Sequence, residues 1–315
     1  MFEIIFLGTS ASAPSVHRGL SSLLVQHDEF RFLVDCGEGT QRQILQAGVG
    51  FKRLNQVLLT HGHLDHILGL GGLVSTFLRW DVIEEMEIYG TQYTLDRVHD
   101  LVFGVVLRGY HGSPPVVLHE IKPGIFWESE RFTITAFPVD HRGSHSLGYR
   151  FEERSRRPFL PEAAAALNVP PGPWRRDLVN GEPVTLPDGR TIHPDQVLGA
   201  PRKGTSLAVV GDTGNALKVL PYVEGVDALV IEATYTQEEA ELASQFDHLT
   251  AAQSAELAAQ AGVGQLFLTH LSRRYRERDI QREAQAIFPA VHVARDFDSF
   301  QIRREEDDPV QPSKD

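Results

Sequence analysis

At 315 residues, with 42% apolar and 23% charged side chains, the chain is long enough for a large core and has the balance of a soluble globular protein. No run approaches the roughly 18 apolar residues of a membrane span, and the opening MFEIIFLGTSASAP, acidic at position 3, reads as a strand entering a turn rather than a signal peptide. A net charge of −12 argues mildly against a nucleic-acid partner without showing where the arginines sit, and a lone cysteine, Cys36, excludes an internal disulfide and suits a reducing cytoplasm.

Taken along the chain, short apolar runs between turn residues predict strands at EIIFLG, SSLLVQ, RFLVDCG, QVLLTH, MEIYG, PPVVLHE and RFTITAFPVDH. Helical patterns interrupt them at GTQRQILQAG and ILGLGGLVSTFLRW. The mixture resumes with SLAVVGDT, DALVIEAT, the helix-like TAAQSAELAAQAG, QLFLTH and FDSFQIRRE, so the class is α/β. Most of these strands end in a polar residue or a His/Asp cluster, as expected when strand ends aim loops at a shared site.

Between residues 152 and 204 the pattern breaks, with dense proline and glycine and weak core periodicity. Such a stretch points to an arm inserted into a single domain spanning 1–315; a variable surface insertion is the competing reading. From Arg154 to Lys203 eight basic residues face five acids, a net +3 inside a chain of −12. The tail, 304–315, has the composition of a disordered segment.

The stretch THGHLDH concentrates chemistry. A buried strand from Val57 to Thr60 runs into His61, His63, Asp65 and His66. Imidazole suits zinc, and a carboxylate adds a hard oxygen; manganese or iron would accept the same donors. His61 and His63 alternate and can face one ion, while Asp65 and His66 turn toward a second. Further ligands must come from elsewhere, and His141, Asp212 and His270 each close a predicted strand. His145 competes with His141, which ends its strand directly.

The motif HxHxDH followed by separate His, Asp and His resembles the metallo-β-lactamase superfamily, whose fold is a four-layered αββα sandwich. Within it the chain resembles the ribonuclease Z family of tRNA 3′-processing endonucleases, through FLGTSASAP, DCGEGTQRQ, LLTHGHLDHILGLGGL, SLGYR, GDT, IEATY, HLTAAQSAELA and LTHLSRRY. These span about residues 4 to 275 in the family's order. The resemblance implies two zinc ions per subunit, with manganese possible in their place: His61, His63 and His141 on one, Asp65, His66 and His270 on the other, Asp212 on both. It assigns a proton-shuttling pair to Glu232, in IEAT, and His248, in HLT. It implies an arm for the tRNA elbow with the tip Pro170, Pro171, Gly172 and Pro173, and a homodimer; the lone cysteine and the lack of a long apolar run lead to an expected cytoplasmic setting without a membrane partner, and no DNA partner is expected. Departures are visible: HGHLDH stands where the family often has HLHGDH, Ile231 and Leu249 alter the HEAT and HST loops, and PSVHRG only partly matches a P-x-K-x-R-N substrate loop.

The implied reaction is hydrolysis of precursor tRNA by metal-activated hydroxide, leaving a 3′-hydroxyl on the tRNA and a 5′-phosphate on the trailer. Asp65 would orient or deprotonate the water, and His248, its tautomer held by Glu232, would protonate the leaving oxygen. The competing reading of His248 is a partner at the cap of the helix starting near Thr250. Ser272, Arg273 and Arg274 follow His270 where RNA backbone would pass, although a solvated helix face explains any single arginine as well. Thr9, Ser10, Glu38 and Thr40 lie in loops after strands and either line the site or serve the turns. Two other functions compete: a metal hydrolase for small esters or phosphodiesters, and a binding protein without turnover.

Overall fold

The computed structural model describes residues 1–80, 85–111 and 115–304, so most of the expected disordered tail, 305–315, lies outside the described residues. The strands are β1 (Phe2–Gly8), β2 (Ser22–His27), β3 (Phe30–Val34), β4 (Gln56–Leu58), β5 (Met86–Gly90), β6 (Val116–Glu120), β7 (Gly124–Glu128), β8 (Phe132–His141), β9 (Ser144–Glu153), β10 (Val184–Thr185), β11 (Thr191–Ile192), β12 (Ser206–Val209), β13 (Ala228–Glu232), β14 (Gln265–Thr269), β15 (Val291–Val293) and β16 (Ser299–Ile302). The helices are α1 (Thr40–Gln46), α2 (Leu64–Ile67), α3 (Gly69–Trp80), α4 (Gln92–Leu101), α5 (Pro161–Ala166), α6 (Pro173–Val179), α7 (Ala216–Val223), α8 (Ala240–Gln245), α9 (Ala251–Ala261) and α10 (Glu277–Gln285). None of the described helices is long and apolar enough to cross a membrane.

Fourteen strands form two seven-stranded mixed sheets, ordered β16-β1-β2-β3-β4-β5-β6 and β15-β14-β13-β12-β9-β8-β7. The central strands alternate their side chains between two buried faces, which is why β1 and β14 read as continuous apolar runs. In β1, Ile5 and Leu7 join Ile44 of α1 and Leu70, Leu73 and Phe77 of α3 in one core. From the opposite face, Phe2 and Phe6 meet Phe151 and Phe267 of the other sheet, with ring centroids 5.9 and 6.1 Å apart. In β14, Leu266 and Leu268 pack against Val219 and Val223 of α7 and Ala255 and Ala258 of α9. The result is helix, sheet, sheet, helix.

Helix α9 starts where Thr250 accepts from the Gln253 N–H and Gln253 returns the bond, and it stops at Gly262 with φ 62°. Strands β3 to β6 run parallel, as do β12 to β15, so within each sheet several carboxyl ends share one side. Ligand-type residues follow these ends.

A second compact unit comprises Glu130–Phe132 and Glu153–Gly204. Its proline- and glycine-rich sequence organises a small core of its own, in which Val169, Leu178, Val184, Ile192, Val197 and Leu198 are buried with Trp174 and Phe159 against them. The hairpin β10–β11 supplies Val184 and Ile192, helix α6, begun at proline, supplies Leu178 and Trp174, and the connecting chain supplies the rest.

Candidate metal centre

Seven side chains from five chain segments converge. His61 and His63 follow β4, Asp65 and His66 lie within the single turn of α2, His141 ends β8, Asp212 follows β12 and His270 follows β14. Two glycines permit the approach. A Cβ on Gly211 would sit 2.7 Å from Thr60 Oγ1, and one on Gly69 would sit 2.0 Å from the Gly37 carbonyl oxygen. The backbone bonds from Cys36 N to His66 O, 2.8 Å, and from Gly69 N to Cys36 O, 2.9 Å, lock α2 onto the loop after β3. Arg97 of α4 donates to the Gly62 carbonyl at 2.5 Å, bracing the turn between His61 and His63.

His61, His63, His141 and Asp212 offer ligand atoms within 4.8 Å of one another, as do Asp65, His66 and His270. Asp212 lies between the two groups. Its Oδ2 is 3.7 Å from both His61 Nε2 and His141 Nε2, while its Oδ1 is 3.5 Å from His66 Nε2 and 3.3 Å from His270 Nε2. Asp65 Oδ2 stands 3.4 Å from His270 Nε2 and 3.8 Å from His66 Nε2. His61 Nε2, His66 Nε2 and Asp212 Oδ1 are buried without a hydrogen-bond partner. A buried polar atom left unpaired costs about 1–3 kcal/mol, so three converging on one spot fit cation ligation. The donor set, imidazole nitrogens with two carboxylates, suits such an ion. His145, by contrast, is exposed, outside both groups.

The far side of each ring explains which nitrogen is free. His66 Nδ1 is bonded to Asp35 Oδ2 at 2.7 Å and His141 Nδ1 to the Asp247 carbonyl at 2.7 Å. The other two use a hydroxyl. Thr60 Oγ1 donates to Asp35 Oδ2 at 2.8 Å and so accepts from His61 Nδ1 at 3.1 Å; Thr234 Oγ1 donates to Glu232 and accepts from His270 Nδ1 at 2.9 Å. Each arrangement puts the proton on Nδ1 and leaves Nε2 facing the centre. Asp35, Thr60, Thr234 and Asp247 were not singled out from sequence; the available signal was an acid directly closing the buried run FLVD and the threonine of IEAT. Asp35→Asn is expected to weaken divalent-metal binding 10–100-fold, read by competition with a chelating dye; unchanged affinity would remove Asp35 from this role.

Electrostatics favour neutral imidazoles and ionised carboxylates. Burial, reinforced by the neighbouring His66, holds His61 well below the usual histidine range, and burial with His141 pushes His63 down to about 4. Burial opposes ionisation of Asp212 and Asp65, yet the surrounding histidines outweigh it and both carboxyls lie below their ordinary value. His66 goes the other way: against its burial, the carboxylates of Asp212 and Asp35 raise it well above the usual range. Positive charge is therefore most favoured where the two groups meet.

Beside the cluster, His248 Nδ1 lies 3.0 Å from both oxygens of the buried Glu232 and 4.0 Å from Asp212 Oδ2. Thr250 and Gln253 cap α9 between them, and the His248 ring is bonded to Glu232 instead. Five non-glycine residues here have left-handed backbone: Ser12, Asp35, Arg142, Asp247 and His270. Such conformations cost roughly 1–3 kcal/mol each and gather at functional sites. Ser12 uses its geometry to donate its N–H to Asp65 Oδ2 at 2.9 Å.

Other candidates divide. Thr9 and Thr40 bond within the framework, to Asp296 and the Gly37 carbonyl, and Ser10 bonds to the Ala13 carbonyl. Glu38 lines a cavity of about 300 Å³ with His17 and Arg42. Ser272 accepts from the Arg274 N–H, Arg274 pairs with Glu239 at 3.1 Å, and Arg273 is exposed. Pro170, Pro171, Gly172 and Pro173 belong to the second compact unit.

Two facing mixed sheets between helical layers, with a His/Asp cluster at the strand ends, define the metallo-β-lactamase fold. Solved structures agree: the metallo-β-lactamase fold protein YhfI from Bacillus subtilis is 18% identical with a TM-score of 0.68, covering 96% of this chain and 100% of that one. Human tRNase Z, short form, is 22% identical with a TM-score of 0.67 over 96% and 100% of the two chains. A family model described as anti-Pycsar protein Apyc1 matches residues 2–154. Full-length similarity is more specific. The ribonuclease Z of Bradyrhizobium sp. (strain ORS 278) is 48% identical over 303 residues, 96% of this chain and 100% of the relative. That of Methanothermobacter thermautotrophicus (strain Delta H) is 36% identical over 311 residues, 98% and 99% of the two. The chain belongs to the ribonuclease Z family.

Proposed function

We propose that this chain is a zinc-dependent endoribonuclease that removes the 3′ trailer from precursor tRNA. The observation that carries this reading is end-to-end similarity, 48% over 303 residues, to a ribonuclease Z. His61, His63 and His141 would hold one zinc, Asp65, His66 and His270 a second, and Asp212 both; manganese fits the same donors. Bound there, the ions would supply Lewis-acid activation of water and neutralise charge at the phosphodiester.

The proton work belongs to the chain's own groups. Asp65, oriented by the Ser12 N–H, takes a proton from the attacking water. His248, held through Nδ1 by Glu232, gives a proton to the departing 3′-oxygen, leaving a 3′-hydroxyl on the tRNA and a 5′-phosphate on the trailer. Burial works against a charge on His248, but the field and hydrogen bonds of Glu232 outweigh it and push the imidazole up to about 9. A raised histidine carries its proton below that value and loses it above, so cleavage is expected to fall above about pH 9. In Glu232→Gln the largest opposition to the burial penalty is removed and only the field of Asp212 still supports the charge, so the alkaline limb should move to lower pH. A pH–rate profile of both proteins, with metal content measured in parallel, checks this; an unmoved limb contradicts it.

Ser272, Arg273 and Arg274 contact the RNA beyond His270, and Pro170, Pro171, Gly172 and Pro173 grip the body of the tRNA. The chain works in the cytoplasm as a homodimer; its Cys36 is fully buried, and burial pushes the thiol up to about 12, which leaves it inert. Competition tests the substrate class. A 3′-extended tRNA should inhibit hydrolysis of bis-p-nitrophenyl phosphate competitively at micromolar or lower concentration, whereas a small-ester hydrolase would ignore it.

A further inference from the structure

We propose that Glu283, on α10, is a positioning residue for the proton donor: its carboxylate ties together the two stretches of chain that carry Glu232 and His248, and so holds the imidazole where the departing 3′-oxygen will be. This rests on the reading of His248 as the acid and extends it to a residue outside the metal centre.

Glu232 closes β13, and the chain then runs through residues 233–236 into a short 3-10 turn, Gln237–Glu239. His248 lies in the turn between α8 and α9. The two stretches meet at a single bridge between Tyr235 and Thr250, where the Tyr235 N–H donates to the Leu249 carbonyl at 3.2 Å and the Ala251 N–H to the Tyr235 carbonyl at 2.9 Å. Thr250 Oγ1 adds a bond to Gln237 Oε1 at 2.9 Å. Glu283 closes the arrangement from a third element. Its Oε1 accepts from the Ala252 N–H at 2.8 Å, and both its oxygens accept from the Gln237 N–H, at 3.1 and 3.0 Å. One carboxylate thus spans the first turn of α9 and the first residue of the 3-10 turn, two places where N–H groups lack partners within their own helix.

Helix α9 already has its own cap in Thr250 and Gln253, so what Glu283 adds is a fixed separation between residues 237 and 252. Helix α10 can impose that separation because its own seat is firm: Ile280 and Ala284, near Glu283 in the helix, are buried in the same core as Ala255 and Ala258 of α9. The far end of the 3-10 turn is held from the same side, since Glu239 accepts from the Tyr275 hydroxyl and pairs with Arg274 at 3.1 Å. His248 itself is held lightly. Its N–H donates to the Ala243 carbonyl at 2.9 Å and its ring is bonded to Glu232, so the aim of the ring follows from where the two stretches are fixed. A displacement of about 1 Å at a reacting group can cost on the order of a hundredfold in rate. None of the bonds to Glu283 involves a side chain of the metal centre, so loosening them should blunt the acid and spare the metal.

The test compares Glu283→Ala, Glu283→Gln, His248→Ala and the double variant Glu283→Ala/His248→Ala on a 3′-extended tRNA and on bis-p-nitrophenyl phosphate, with bound metal counted on each preparation. Glu283→Ala should lower kcat on the precursor roughly 10–100-fold with KM nearly unchanged. The nitrophenyl ester, whose leaving group needs no proton, should turn over within about threefold of wild type, with metal content unchanged. Glu283→Gln, whose amide oxygen can accept from the same two N–H groups, should recover most of the loss. In the His248→Ala background, Glu283→Ala should cost nothing further, because the ring it acts through is already gone. The proposal is overturned if Glu283→Ala cuts the precursor at the wild-type rate, or if the glutamine variant fails as the alanine one does. It is equally overturned if both substrates or the metal content fall together, since the residue would then be structural, or if the two losses add independently in the double variant. His248→Ala alone checks the acid reading: precursor cleavage at the wild-type rate there sinks that reading and this proposal with it. A selective loss with His248→Ala and none with Glu283→Ala leaves the reading standing and removes only Glu283.

Discussion

Asp212→Ala is expected to lower hydrolysis of precursor tRNA and of bis-p-nitrophenyl phosphate alike by roughly a thousandfold, about 4 kcal/mol in the barrier. The side chain is 3% exposed, and its two oxygens face different histidine groups, Oδ2 toward His61 and His141, Oδ1 toward His66 and His270. Removing it takes the carboxylate that faces both groups and leaves buried imidazoles without the charge that offsets theirs. Bound metal, counted by atomic emission, should drop from two per chain to one or fewer. His63→Ala is the contrast: His63 is only partly buried and belongs to one group, so this variant should lose metal from one position alone. Asp212→Ala protein that keeps two metals and most of its activity would contradict the bridging assignment.

His248→Ala should separate the two substrates. A ribose 3′-oxygen is a poor leaving group that departs with a proton, and a positioned general acid contributes typically 10²–10⁴-fold. A nitrophenolate leaves without one. Precursor cleavage is therefore expected to fall at least a hundredfold while bis-p-nitrophenyl phosphate turns over within about threefold of wild type. His248 suits this division because its Nδ1 is occupied by Glu232 at 3.0 Å and its ring lies 5.0 Å from that of His141 and 5.5 Å from that of His270. An equal loss on both substrates would place His248 in assembly of the metal centre instead.

Residues that meet through local spacing were readable in the sequence, and those that meet only through the fold were not. His61, His63, Asp65 and His66 sit within six positions after an apolar run, and His141, Asp212 and His270 close apolar runs of their own, so strand-end logic collects them. Asp35 gives no such signal. Its importance comes from a left-handed backbone, φ 59°, that turns its carboxylate toward Thr60 and His66 across the sheet, and backbone sign is invisible in a lone aspartate. The relay through Thr234 depends on a hydroxyl committed in one direction and receiving in the other, a property of three residues up to 38 positions apart. In the inserted unit, Val169, Leu178, Val184 and Ile192 come from elements of two to seven residues and from turns, too short to show a period, so a real core read as irregular chain. The strands β7 and β9 were likewise faint, β7 because its alternation is half exposed.

The most direct test of the account is to map, at nucleotide resolution, the products of a 3′-extended tRNA transcript incubated with the metal-loaded protein. A single cut at the tRNA 3′ boundary, giving a 3′-hydroxyl on the tRNA and a 5′-phosphate on the trailer, is the predicted result. An intact transcript in the presence of protein that still hydrolyses bis-p-nitrophenyl phosphate would contradict it, leaving a metal-dependent phosphodiesterase whose substrate is not tRNA.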